Sequence, residues 1–246
     1  MNIINIGNND SIKLNENISI KNKGDKYKID LLKKDKLILI IDNRDCEIII
    51  NVYDNFNLLL YGNIDGDINI KINIYNESKL LFNKITKNNK VFEKIEVNLN
   101  SNNSKIDYNS TYVGTISSDI FINHNYSNTV SNVVNHALGL KSDMVFNISE
   151  TVENKIKNCI LKQYSKVLKV DNSNTLIRPI LNTRDYTVNA FHSSVIANIN
   201  NDEILYLMSR GITEKESINL IINGFLFSNI KEEIETINNI KEYLNI

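Results

Sequence analysis

The sequence predicts a mainly β protein in which a β-solenoid body precedes a small helical domain. From about residue 10 to residue 190, apolar residues recur with a period of two, as along half-buried strands. Isoleucine outnumbers aromatic residues on the apolar faces, which suits stacked rungs, and Asp65-Gly66 is the only good two-residue hairpin signal. After Asn200 the period becomes helical. These observations divide the chain into a body, 1–200, and a tail, 201–246.

The strands of the body are short apolar runs separated by polar clusters. In 67–75, for example, isoleucines alternate with polar residues, whereas 46–53 and 56–61 have short continuous apolar cores. Further strands are predicted at 80–85, 91–99, 106–113 and 116–122. The repeat length is irregular, so a sandwich or a barrel remains open as an alternative to the solenoid.

Three amphipathic segments make up the tail. Asn201 or Asp202 caps the first segment, and Thr213 with Glu216 forms a capping box that opens the second. The third is predicted over 230–243. A tail this short cannot bury its apolar residues against itself, so we expect it to pack on the solenoid end or on another protein.

Composition excludes several functional classes. The net charge of −1 provides no basic field for nucleic acid, and no apolar run reaches the length of a membrane span. The N-terminus lacks the features of a signal peptide. Two cysteines distant in sequence cannot build a disulfide framework, so we expect a cytoplasmic setting. We attribute the heavy use of Asn and Lys to the codon bias of an AT-rich genome and expect no chemical role for it.

Nucleotide-binding and hydrolase motifs are absent from the sequence. There is no P-loop, no G-x-S-x-G, no H-E-x-x-H and no G-x-G-x-x-G. With eight glycines in the whole chain, a glycine-rich phosphate cradle is not expected. The chain therefore does not itself hydrolyse nucleotide through a P-loop.

The tail and the strand before it resemble one family. His192 and a strand precede Asp-Glu-Ile-Leu-Tyr-Leu-Met-Ser-Arg-Gly-Ile over 202–212, followed by an acidic helix start and Gly-Phe-Leu over 224–226. This order resembles the C-terminus of the SufB/SufD iron–sulfur cluster assembly proteins, and the resemblance covers about residues 120–230. Arg-Pro-Ile-Leu over 178–181 and Asp185 stand in the expected places.

The resemblance implies a right-handed parallel β-helix followed by a small helical domain that binds the ABC-type ATPase SufC. It implies a scaffold and not an enzyme, working as a homodimer or as a heterodimer with a SufB/SufD-like chain. A transient iron–sulfur cluster would be built at the dimer interface of the β-helix. The chain also departs from the pattern, because Phe191 and Ser193 flank His192 where SufB-like members carry glutamates.

The resemblance implies His192 as a metal ligand, on the last strands, where two β-helices meet. Three roles remain open for Cys159: it carries persulfide sulfur, it ligates iron, or it is a small buried hydrophobe. Cys46 sits among isoleucines and is interpreted as packing. His124 and His136 lack metal-ligand spacing.

The partner-binding surface is expected on the tail. Tyr206, Arg210, Gly211 and Phe225 are its candidate residues. Two rival interpretations remain: a carbohydrate-active enzyme built on a β-helix, and a structural partner of a true scaffold that has no ligands of its own.

Overall fold

A computed structural model describes residues 2–6, 11–42, 45–170 and 172–246. The protein is mainly β, with 59% strand, and forms a β-solenoid of about 7 turns with three helices at its C-terminus. The predicted solenoid is therefore confirmed. The strands are Asn2–Ile6 (β1), Ser11–Lys13 (β2), Ile18–Lys23 (β3), Lys26–Leu31 (β4), Asp35–Ile41 (β5), Cys46–Val52 (β6), Phe56–Asn63 (β7), Gly66–Ile74 (β8), Lys79–Leu99 (β9), Lys105–His124 (β10), Val130–Gly139 (β11), Asp143–Val152 (β12), Ile160–Lys169 (β13), Asn174–Asn182 (β14) and Asn189–Asn198 (β15). The helices are Asn201–Ser209 (α1), Glu214–Phe227 (α2) and Ile234–Leu244 (α3).

The solenoid has two faces of stacked parallel strands. We call the face formed by β1, β5, β7, β11, β13 and β15 sheet A, and the face formed by β4, β6, β8, β12 and β14 sheet B. The long strands β9 and β10 belong to both faces, since their first halves pair within sheet A and their second halves within sheet B. Inward-facing Ile, Leu, Val, Phe and Tyr side chains fill the space between the faces.

The corners differ from the sequence prediction in two places. The polar stretch 86–90 was expected to separate two strands, but β9 and β10 pair through it and bend together near Gly114, where the register shifts. Gly114 has a φ of +112°, and a Cβ there would lie 1.8 Å from the Asn88 carbonyl oxygen. A side chain is therefore excluded at this bend.

The hairpin predicted at Asp65-Gly66 is wrong. Strands β7 and β8 on either side of it do not pair with each other: β7 pairs with β5 and the first half of β9, and β8 pairs with β6 and the second half of β9. This dipeptide therefore turns a corner of the solenoid. A two-residue hairpin occurs instead at Gly24-Asp25, between the antiparallel strands β3 and β4. Gly24 supplies the positive φ of +60° that such a turn requires.

Antiparallel strands close the N-terminal end of the solenoid. Strand β2 pairs antiparallel with β1, and β3 pairs antiparallel with β4. The β3–β4 hairpin carries Lys21, Lys23, Lys26 and Lys28, charges that discourage edge-to-edge association of strands. This end is thus protected in the way expected for a capped solenoid.

Asparagines form a ladder across sheet B. Asn51 donates to Asp30 at 2.7 Å, Asn73 to Asn51 at 3.0 Å, Asn98 to Asn73 at 3.1 Å and Asn123 to Asn98 at 2.9 Å. The amides of Asn51, Asn73 and Asn98 both donate and accept along the stack, so their hydrogen bonds are made between rungs. Part of the asparagine content that we attributed to codon bias therefore has a structural role.

The helices begin and end close to the predicted positions. Asn200, not Asn201 or Asp202, caps α1, since its side chain accepts from the amide of Asp202. The capping box of Thr213 and Glu216 is present at the start of α2. Helix α3 begins at Ile234 and not at 230, because 230 belongs to the segment that packs against the body.

The tail packs along the flank of the solenoid and not on its end. Apolar side chains on the outer surface of successive rungs form a stripe that includes Ile38, Leu138 and Leu168. The end of α2, the segment after it and one face of α3 cover this stripe. We expected the tail on the solenoid end or on another protein, because this stripe is not visible in the sequence. Successive residues of the stripe lie 21 to 30 positions apart and become continuous only in the stack.

Candidate functional site

The C-terminal end of the solenoid is open. Within the described residues, β14 pairs only with β12 and β15 only with β13, so both strands have one unpaired edge. Both strands also expose apolar side chains: Leu176 (41%), Ile180 (44%), Phe191 (53%), Val195 (44%) and Ile196 (48%). An uncovered apolar end with free strand edges is typical of an interaction surface.

His192 lies at this open end, in register with Gln163 of β13. Opposed residues of parallel strands face the same side of a sheet, so His192 continues the inward-facing row that contains Gln163. Gln163 is buried, and its Nε2 donates to the Ile180 carbonyl at 3.3 Å. Its Oε1 has no hydrogen-bond partner among the described residues. An exposed imidazole beside an unsatisfied buried amide forms a polar site at the open end.

A second inward row leads from the open end into the interior. Ser194, Ser165, Asn135 and Ser110 stand in register on β15, β13, β11 and β10. Ser110 donates to the Asn135 carbonyl oxygen, and the Asn135 amide donates to Ser165 Oγ at 3.3 Å. Since most of the interior is apolar, this row is a polar path from the open end toward the centre.

The polar row ends beside a buried ion pair. Lys84 of β9 stands in register with Ser110, and its Nζ pairs with the carboxylate of Glu93. Both side chains are only 1% exposed. Glu93 also accepts from Tyr112 OH at 2.8 Å and Ser118 Oγ at 2.9 Å. Burial lowers the pKa of Lys84, and the adjacent Glu93 carboxylate opposes that shift only in part.

Cys159 belongs to a separate buried polar chain. Its Sγ lies 3.3 Å from Thr129 Oγ1, which is 2.7 Å from His124 Nδ1. On the other side of the ring, His124 Nε2 is 3.0 Å from Ser131 Oγ and 3.5 Å from the Glu150 carboxylate, to which Ser131 donates. Thiol, imidazole and carboxylate are therefore joined through two hydroxyl groups.

This arrangement favours the thiolate of Cys159. Burial raises the pKa of the thiol, but hydrogen bonds from His124 and Thr129 outweigh burial, and the net pKa is lowered. Burial also depresses the pKa of His124, while contacts with Cys159 and Glu150 raise it further than burial lowers it. A thiolate beside an imidazolium is the usual form of a nucleophilic or metal-binding cysteine.

The structure brings Cys159 together with His124 and Glu150, and not with His192. Cys159 precedes Gln163 by four positions, and Gln163 is the residue opposite His192. At about 3.3 Å per residue, four positions correspond to roughly 13 Å along the strand. In addition, Cys159 is fully buried, whereas His192 is exposed.

His124 and Glu150 were missed as functional residues by sequence reasoning. The signal was present, since each follows alternating apolar residues and occupies the next inward-facing position, His124 after Ile122 and Glu150 after Ile148. A polar residue in the apolar phase of a strand indicates a buried polar contact. Cys46, by contrast, packs in the main hydrophobic core, as predicted.

The tail brings three of its four predicted partner residues together. Tyr206 is 59% exposed, and the Arg210 guanidinium lies over its ring at 5.3 Å. Gly211 follows at once and lines a cleft of about 690 Å³ between α2 and the C-terminus. Phe225 lies at the far end of α2, where its ring stacks on His136 of the body at 4.6 Å.

The sequence of the site region matches a described family. The family described as "SUF system FeS cluster assembly, SufBD core domain" has a sequence model that matches residues 68–225 of the chain. The chain belongs to the SufB/SufD family. The matched range contains the open end, the polar row and α1 with most of α2. Membership in this family supports a role in iron–sulfur cluster assembly in the SUF system.

Three further findings concern relatives, membrane spans and metal sites. Curated proteins provide no match to the chain. None of the helices in the described ranges has the length and hydropathy of a membrane span. Among the residues that the structure describes, no group of three or more His, Cys, Asp or Glu side chains converges as a metal site.

Proposed function

We propose that this SufB/SufD family member is a scaffold on which an iron–sulfur cluster is assembled between two chains. The observation that carries the proposal is the contrast between the two ends of the solenoid. The N-terminal end is closed by hairpins with charged side chains, whereas the C-terminal end exposes apolar residues and free strand edges. A second chain is a suitable occupant, because the free edge of β15 can pair with the edge of another strand.

His192 is the proposed ligand at this interface. A single chain offers too few ligands at the open end, and two copies related by a two-fold axis bring two imidazoles to the same place. Imidazole replaces thiolate in some iron–sulfur centres. Gln163 next to His192 has an unsatisfied carbonyl oxygen that can orient the imidazole by accepting from its second nitrogen.

Cys159 is the proposed internal thiol, carrying persulfide sulfur or binding iron during assembly. Its lowered pKa and its contacts with Thr129 and His124 support this role, because the thiolate is the form that binds a metal or takes a sulfane sulfur atom from a donor persulfide, whose own thiolate then leaves. Neither cysteine forms a disulfide within the described residues, which suits a reducing compartment such as the cytoplasm.

The tail is the proposed binding site for a SufC-like ABC-type ATPase. Helix α1, which is described throughout, buries none of its side chains, and Leu205 (61%), Tyr206 (59%) and Leu220 (54%) are exposed on α1 and α2. Aromatic and arginine side chains are the residue types that most often dominate binding energy at protein interfaces. Tyr206 and Arg210 supply both on one exposed surface.

Co-expression with a SufC-type ATPase tests the partner proposal. We expect the intact chain to copurify with the ATPase and the paired change Tyr206→Ala/Arg210→Ala to abolish copurification. Tyr186→Ala, which removes a 95% exposed tyrosine from the body, is the matched control. Absence of a complex with the unmodified chain would contradict the partner proposal.

A structural partner without its own ligands is the second candidate, favoured by the missing glutamates beside His192. Anaerobic purification separates the two candidates, since a homodimeric scaffold retains iron and sulfide after reconstitution and a ligand-free partner does not. A colourless protein with bound oligosaccharide would instead favour the carbohydrate-active alternative.

A further inference from the structure

The segment that joins α2 to α3 runs across the outer surface of sheet A. We call residues 225–232 the strap. It starts on β11, where His136 Nδ1 donates to the Phe225 carbonyl at 2.8 Å. It ends on β5, where Lys36 Nζ pairs with Glu232 at 2.5 Å. Between these points it also contacts β10 and β9, so eight residues contact four strands of the stack.

Asn229 is the central anchor of the strap. Its side chain is 9% exposed, and its Nδ2 donates to the Ser110 carbonyl at 2.8 Å and the Val134 carbonyl at 3.1 Å. The single proton of the Thr111 hydroxyl is shared between the Leu226 carbonyl at 2.7 Å and Asn229 Oδ1 at 3.1 Å. A buried amide with both donors engaged and its acceptor in contact with a hydroxyl holds one geometry, because any shift leaves polar atoms unsatisfied.

A second anchor lies on β9, the strand next to β10. Asn83 Nδ2 donates to the Lys231 carbonyl and to Glu232 Oε1, each at 3.0 Å. Asn83 Oδ1 accepts from Asn109 of the next strand at 3.0 Å. The Asn83 side chain is fully buried, so the strap and two neighbouring strands share one enclosed hydrogen-bond network.

One strand, β13, separates the start of the strap on β11 from β15 at the open end. The Lys166 ammonium of β13 lies 5.5 Å from the centre of the Phe225 ring, and Lys166 is in register with Val195 of β15. Helix α1, with its exposed surface, precedes the strap in sequence and is joined to it through α2. Apolar packing of Leu226, Phe227 and Ile230 against the flank adds to the polar anchors.

We infer that Asn229 and Glu232 are positioning residues that make the partner-binding helices and the body of the solenoid move as one rigid body, through their contacts with β5, β9, β10 and β11. The inference rests on the proposed function, because the force it transmits comes from the ATPase partner. A tail held only by apolar contacts can slide on the flank, whereas buried directional hydrogen bonds fix its register. The strap would thereby pass movement of a bound ATPase to the solenoid body as a whole, and not only to the helices.

Distance measurement between two spin labels tests this inference on the full chain without a partner. One label is placed at Asn69→Cys on sheet B and the other at Leu205→Cys on α1, both exposed sites. We expect one narrow distance distribution in the parent, and loss of the single narrow peak in Asn229→Ala and Thr111→Val. Thr111→Ser, which keeps the hydroxyl, should restore the peak, and Asn239→Ala, an exposed amide on α3, should leave it unchanged.

These outcomes separate a positioning role from general stabilisation. Thr111→Val is nearly isosteric, so the folded state survives if the apolar packing remains. A narrow peak in both Asn229→Ala and Thr111→Val, even with a lower melting temperature, would overturn the inference. With a SufC-type ATPase present, Glu232→Gln should retain complex formation and lose ATP-dependent cluster formation, whereas Glu235→Gln retains both. If the parent chain binds no ATPase, the proposed function is contradicted. The label distances still test whether the strap holds the helices rigidly to the body.

Discussion

Gln163 and His192 lie opposite each other on adjacent parallel strands, the first buried and the second exposed at the last turn of the solenoid. The pair marks the point at which a continuous inward row leaves the protein core and meets solvent. It links the interior of the solenoid to the surface where a second chain is proposed to bind.

Charge placed on β15 should break the dimer. We expect Val195→Lys to shift the chain to monomer in analytical ultracentrifugation, because two-fold symmetry would bring the new lysines of both copies to one interface. Like charges there cost several kcal/mol, so the dissociation constant should rise about 100-fold or more. Tyr186→Lys in the neighbouring loop is the control. Unchanged dimerisation in Val195→Lys would place the interface elsewhere.

Breaking the buried ion pair should destabilise the body strongly. Lys84→Met leaves the Glu93 carboxylate uncompensated in the core, which costs about 3–5 kcal/mol. The double change Lys84→Met/Glu93→Gln should recover much of that loss, because no charge remains buried. Urea unfolding followed by circular dichroism measures both. Equal destabilisation in the single and double variants would refute an electrostatic origin.

The thiol of Cys159 should titrate below its ordinary pKa of 9.0. Thiolate absorbance in the ultraviolet, measured against pH in a Cys46→Ala background, should rise at lower pH than for a free thiol. His124→Phe removes the hydrogen-bonding ring, so burial should then dominate and move the titration to higher pH. Identical titrations with and without His124 would contradict the thiol–imidazole pairing.

Docking of the tail should weaken in acid. The pKa of His136 is lowered from 6.5, chiefly by burial and also by the nearby Lys166 charge, while the hydrogen bond to Phe225 opposes the shift. A lowered histidine pKa means that the fold favours the neutral ring. The stabilisation is therefore fully present above pH 6.5 and is lost as pH falls through the lowered value.

Limited proteolysis of the tail at about pH 7.5 and about pH 5.5 measures this effect of pH. We expect faster cleavage at the lower pH in the parent and little pH dependence in His136→Gln. Both proteins keep His124 and His192, so a difference between their pH responses reports on His136 alone.

The fold was predictable wherever one strand or helix carries its own signal. Alternating isoleucines in 67–75 identified β8, and the capping box of Thr213 and Glu216 identified the start of α2. The contacts that a residue makes with neighbouring rungs have no such local signal in the sequence. The bend at Gly114, the ladder through Asn73 and the flank contact of Phe227 all depend on residues of neighbouring rungs, more than 20 positions away.

The candidate site was predictable only in part, for the same reason. His192 was predicted as a ligand from its place before the tail. That Gln163 lies opposite His192 depends on the strand register, which the sequence alone does not give. The contacts of Cys159 with Thr129 and of His124 with Glu150 join three different turns, which spacing within the sequence does not reveal.

Iron and sulfide content after anaerobic reconstitution tests the central claim most directly. His192→Ala should hold much less iron and acid-labile sulfide per dimer than the parent. Ser193→Ala, which alters the adjacent exposed residue, should match the parent, and both variants should remain dimeric. Equal loading of His192→Ala and the parent would contradict a cluster assembled at the open end of the solenoid.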